Sequence, residues 1–225
     1  MITAGDVIDA VRASGFEVDQ DGRSFVFINV IQRKVIGDHR WRFLRATASS
    51  PVVAGTASYA LPDDLMHLMS VRLTTPGSPD QPDLTWVDDD RLLWLASVDP
   101  TVQQYYYPTF WSDTTPGTVQ LHPAPYAPGT LTIRYLRRVS DITLESDVPD
   151  IPNEYLDVLR AGICWQLAQR ESSDRAAGFK TEFGEILAAM KGQYGLRQTQ
   201  SAHRVVDSGR YPAGDGWRSV VGWGH

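Results

Sequence analysis

"PNEYLDVLRAGICWQLAQRESSDRAAGFKTEFGEILAAMKGQY", residues 152–194, decides the fold, because it reads as two successive helices. Pro152 stands where a first helix starts, a position at which its missing N–H costs nothing. Asn153, Glu154 and Asp157 suit the positive end of the helix dipole. Tyr155, Leu156, Leu159, Ile163 and Leu167 fall on one face. Ser173 is placed to cap a second helix, whose apolar face is Phe179, Phe183, Ile186, Leu187, Met190 and Tyr194. Gly195 is its expected stop.

The same texture opens the chain. Thr3 can cap a short helix with Val7, Ile8 and Val11 on one side and Gly15 at its end. Ser24 opens a longer one over "SFVFINVIQRKVIGDHRWRF", residues 24–43, with Phe25, Ile28, Ile31 and Val35 as its stripe and Trp41 and Phe43 as core rings. Between these helical ends lies a stretch rich in proline, glycine, threonine and β-branched residues. "TASYALP" ends a strand at Pro62, and "MSVRLTT" (69–75) alternates as a half-buried strand does. "TWVDDDRLLWL" (85–95) fits either a strand or a short helix, and "GTVQLHPAP" and "GTLTIRYLRR" read as strands. The order is helices, strands, helices. The expected fold is α+β: an antiparallel helical bundle of N- and C-terminal helices, an inserted β-rich subdomain and an extended C-terminal tail. The expected parts are 1–48, 49–146, 147–196 and 197–225.

Composition narrows the function. The chain has 225 residues, 42% hydrophobic and 21% charged, as a globular protein should. A net charge of −6 argues against a dedicated nucleic-acid binder. No apolar run approaches a membrane span, and "MITAGDVIDAVRAS" carries acids where a secretory leader is basic. The expectation is a soluble protein made in the cytoplasm without a targeting segment and with no membrane partner. Cys164 is the only cysteine and sits in an apolar helical stretch, so a buried small hydrophobe is expected. The five histidines make no metal-ligand pair, and "DD" (63–64) and "DDD" (88–90) read as solvated turns rather than cation sites. No nucleophile elbow or phosphate loop is present. The expectation is no enzyme, no cofactor, no metal and no catalytic residue.

Two aromatic stretches remain. Residues 105–111 hold Tyr105, Tyr106, Tyr107, Phe110 and Trp111. Alternation along a strand lets at most half of these rings share a surface, so core and interface outweigh a sugar-binding face. The end of the chain, "RYPAGDGWRSVVGWGH" (210–225), has too many glycines for a helix and too many aromatics for a plain frayed end. Arg204, Arg210, Tyr211, Trp217, Arg218, Val220, Val221 and Trp223 are its candidate partner-binding residues, the rings as anchors and the arginines as carboxylate ligands.

Taken together, the segments resemble phage head-to-tail adaptor proteins, the tail tubular protein A-like and tail-accessory adaptors beneath the portal. The resemblance lies in Trp41, then "Y-x-L-P-x-D" at Tyr59, Leu61, Pro62 and Asp64, then Val71 and Arg72 in the next strand. It continues in a "P-x-P" turn at Pro123 and Pro125 ahead of Tyr135, and in the Ile151-Pro152-x-x-Tyr155 lead into the closing helices. It spans residues 24–195, with 76–116 unmatched. It implies a virion structural protein at the head–tail junction. Its homo-oligomeric ring, a dodecamer, would sit below the portal protein, extend the DNA channel and offer a surface to a tail, nozzle or tail-tube protein. It also implies a C-terminal tail that docks on the portal or a neighbouring subunit. DNA would pass without specific binding, which suits an acidic chain. The alternatives are a neck or tail-completion protein elsewhere in the stack, or a carbohydrate-binding module using 105–111.

Overall fold

The computed structural model describes residues 2–18, 23–76, 82–98, 108–113 and 116–196. Helix α1 is Ala4–Ala13. Thr3 caps it reciprocally: its hydroxyl accepts from the Asp6 N–H at 3.3 Å, and the Asp6 carboxylate accepts from the Thr3 N–H at 2.7 Å. Gly15 follows with φ +87°, the left-handed conformation that glycine adopts without steric cost.

Helix α2 is Arg23–Asp38 and buries Phe25, Ile28, Ile31, Val35 and Ile36. The helix expected to run to Phe43 therefore stops at Asp38. Trp41 has extended backbone and pairs with Gly195, at the far end of the chain's helices. Its indole N–H donates to the Val35 carbonyl at 2.9 Å, satisfying one of the acceptors that a helix end leaves open. A single 3-10 turn, Arg42–Leu44, leads straight into β1, Arg45–Val52.

The strands that follow are β2 (Ser58–Ala60), β3 (Leu65–Thr74), β4 (Thr85–Trp86), β5 (Phe110–Ser112), β6 (Thr118–His122) and β7 (Gly129–Arg137). Helix α3, Asp89–Val98, sits between β4 and β5, so residues 85–95 hold a strand and a helix in succession. One sheet has the order β1-β7-β3 and is antiparallel throughout; the other is β2-β6-β5-β4, with β4 and β5 parallel. The two sheets share one core, in which Val71, Leu73, Leu131 and Ile133 from the first meet Tyr59, Trp111, Val119 and Leu121 from the second.

The chain closes with a 3-10 turn, Asn153–Tyr155, and helices α4 (Asp157–Arg170) and α5 (Ala176–Tyr194). Helices α1, α2 and α5 all pack on α4. At Gly162 a Cβ would stand 2.7 Å from Ile31 and 3.1 Å from Phe183, so only glycine lets α2 and α5 approach α4 this closely. The result is mixed α+β, as expected.

Strand β7 joins the two cores. Leu131, Ile133 and Tyr135 point into the β core, whereas Leu136, on the opposite face, is fully buried in the helical core. The connector after β7 is stitched to α2. The Asn29 side chain donates to the Ile142 carbonyl at 2.9 Å and accepts from the Ile142 N–H at 2.8 Å. Gln32, 1% exposed, donates to Ser140 O and accepts from the Asp150 N–H, both at 3.1 Å.

Candidate interaction surfaces

Arg204, Arg210, Tyr211, Trp217, Arg218, Val220, Val221 and Trp223 lie outside the described residues, as do Tyr105, Tyr106 and Tyr107. What is described is the point from which the tail departs. The Leu196 N–H donates to the Arg40 carbonyl at 2.8 Å, beside the Trp41–Gly195 bridge. A Cβ on Gly195 would stand 2.4 Å from the Lys191 carbonyl and 2.7 Å from the His39 ring, so this junction requires glycine. Leu196 then lines a crevice with Ile36, His39, Met66, His67 and Leu136, where α2, β3 and β7 meet.

The residues that carry the resemblance perform structural work at turns. The Tyr59 hydroxyl donates to Thr56 O at 2.7 Å and closes the turn ahead of β2. The Pro125 carbonyl accepts from the Gly55 N–H at 2.7 Å. Asp64 and Tyr135, 71 positions apart, meet directly: the phenol donates to the carboxylate at 2.8 Å. Burial pushes the Tyr135 hydroxyl above its ordinary pKa, and this hydrogen bond adds to the shift. Arg72 pairs with Asp83 at 2.8 Å, and the Tyr155 hydroxyl donates to Gln193 at 2.6 Å.

The residues weighed for chemistry also have structural roles. Asp88 caps α3 by accepting from the Arg91 N–H at 2.8 Å. Cys164 is fully buried, and desolvation pushes its thiol up, away from the nucleophilic form. His122 is held below the ordinary histidine range by burial. No group of acids, histidines or cysteine able to hold a metal ion occurs among the described residues. Trp111 is core, its indole donating to Leu84 O at 3.1 Å, so it is not available to stack on a sugar.

The exposed surface has polar and apolar parts. The outer face of the β1-β7-β3 sheet carries Arg45, Thr47 and Ser49 beside Thr130, Thr132 and Arg134, and Arg45, Thr47 and Arg134 line a cleft with Met69, Leu84 and Trp86. On α3, Leu93 and Trp94 are exposed, with Arg91 stacked 4.0 Å from the Trp94 ring. Val26 and Val30 on α2, and Leu144 and Val148 in the connector, are exposed as well. The sequence reading missed these four. The available signal was Val26 and Val30 themselves, a second apolar pair one turn apart and off the buried stripe.

Several apolar side chains are thus exposed and open to contact. The family comparison agrees: the model of the SU10 adaptor protein family matches residues 2–207. The chain belongs to that family. The SU10 adaptor proteins are phage head-to-tail adaptors, so membership gives this chain a structural role in the virion and association with other head–tail proteins. Membership in a structural family points away from catalysis. No curated protein matches the chain. Among the described residues no helix is long and apolar enough to cross a membrane.

Proposed function

We propose that the chain forms a ring, a dodecamer, below the portal protein, where it extends the DNA channel and offers the attachment surface for a tail, nozzle or tail-tube protein. In this reading residues 1–48 and 147–196 form an antiparallel bundle, 49–146 the β subdomain, and 197–225 a docking tail. Arg204, Arg210, Tyr211, Trp217, Arg218, Val220, Val221 and Trp223 make the tail's contacts with the portal or a neighbouring subunit. The observation that carries the reading is the family match over residues 2–207. The net charge of −6 supports a wall along which DNA slides. Many tails presented at once gain avidity from modest individual contacts.

Co-sedimentation with portal rings of the same phage tests this, with the full chain beside one ending at Thr199. The expected result is binding by the full chain and its loss on truncation. Equal binding by both removes the tail from the account. Binding by neither removes the portal as partner.

A further inference from the structure

Helices α2 and α4 leave an open groove on the outside of the helical core. It is lined by Val26, Phe27, Val30, Gln166, Gln169 and Arg170. Val26 is 56% and Val30 42% exposed, because both lie off the buried stripe of α2. Phe27 lies deeper, and the Arg170 guanidinium stacks 4.9 Å from its ring centre. No carboxylate among the described residues pairs with Arg170. The groove therefore offers apolar walls, a cationic end and two side-chain amides.

A second feature has the matching chemistry. The turn at 143–148 lifts Leu144, 60% exposed, and Val148, 40% exposed, into solvent, with Glu145 between them. The turn is rigid. The Asp147 carboxylate accepts from the N–H groups of Thr143 at 2.8 Å and Leu144 at 2.9 Å. The N–H groups of Ala4 and Gly5 donate to the carbonyls of Asp147 and Glu145, which ties the turn to the start of α1. A knob held in place before binding loses little entropy when it docks.

We infer that the 143–148 turn of one copy seats in the α2–α4 groove of a second copy. Leu144 and Val148 cover Val26 and Val30, and Glu145 meets Arg170. Within one chain no hydrogen bond or ion pair among the described residues joins 143–148 to the groove: α2 holds residues 141–142 through Asn29 and Arg33, while Val26, Phe27 and Val30 line the groove. Knob and groove are different surfaces, so the contact is head to tail and propagates from copy to copy, as a ring requires. The inference deepens the ring reading and rests on it only for closure.

The test mixes full-length Val30→Cys and Leu144→Cys chains under mild oxidation, free and on portal rings. The native Cys164 is buried and does not compete. The expected product is a Val30→Cys/Leu144→Cys heterodimer several-fold above either homodimer. Its yield should fall several-fold with Arg170→Glu in the groove copy or Glu145→Arg in the turn copy, and recover when both are present. No heterodimer excess in either setting, or an excess indifferent to both charge reversals, overturns the interface. Portal co-sedimentation of the same chains separates the two readings. Portal binding without heterodimer sinks only the interface, and heterodimer without portal binding sinks only the adaptor position.

Discussion

The helical and β cores are assembled by different means. The helical core gathers residues from Ala4–Leu44 and Leu136–Met190, and the buried Gln32 side chain helps to bind these distant stretches. The β core draws on the contiguous stretch Val52–Tyr135 and is held by backbone ladders. A core closed by distant segments is exposed to single losses, whereas a laddered core spreads its dependence over many bonds. The largest mutational effects should therefore fall in the helical half.

Trp41→Ala should have the largest effect, because Trp41 is fully buried, caps α2 and bridges to Gly195. A loss of about 3–5 kcal/mol is expected in denaturant titration. Amide exchange should quicken more in α2 and α5 than in β6; equal quickening would erase the distinction between the cores. Gln32→Leu leaves the Ser140 carbonyl and the Asp150 N–H without their side-chain partner. It should cost about 1–3 kcal/mol in the same titration. Tyr135→Phe removes one hydrogen bond to the exposed Asp64 and should cost only about 1 kcal/mol. If Tyr135→Phe proved costlier than Gln32→Leu, the ranking of the two halves would be reversed.

The smallest effect is acid loosening at the start of α1. Backbone N–H donors from Thr143 and Leu144 hold the Asp147 carboxyl below the ordinary aspartate value, and Thr3 does the same for Asp6. A lowered carboxylate contributes stability above its ordinary pKa and loses it as pH falls through the folded value. The protection of the Thr143, Leu144 and Thr3 amides against exchange should therefore fall only below roughly pH 4. A change near neutrality would point to another group.

These contrasts also explain what the sequence revealed. Helical stripes such as Phe179, Phe183 and Met190 are legible because packing on one side imposes a period on the residues themselves. The end of α2 was not legible. Trp41 and Phe43 extend its apolar spacing, yet Trp41 is claimed by Gly195, a partner no local pattern reveals. Strand β1 was hidden for a related reason. "RATASSPV" has little β propensity and forms a strand because β7 pairs with it along its whole length, with Pro51 tolerated on an edge. Of the surfaces, the groove valines left a trace in the spacing. The connector turn left none, because its shape comes from the Asp147 carboxylate and the backbone of α1.

The pairing of Arg45 with Leu136 has a consequence for how such a molecule can change over time. The chain leaves the helical core and returns to it at two hydrogen-bonded neighbours, whose Cα atoms in an antiparallel pair are about 5 Å apart. Everything between them is plugged in at one socket. A segment with adjoining ends can be lengthened, shortened or exchanged for another module while the helices keep their connectivity. A chain in which a tight turn replaces residues 46–135 should therefore retain helical circular dichroism and cooperative melting. A random-coil spectrum would show that the socket needs its plug.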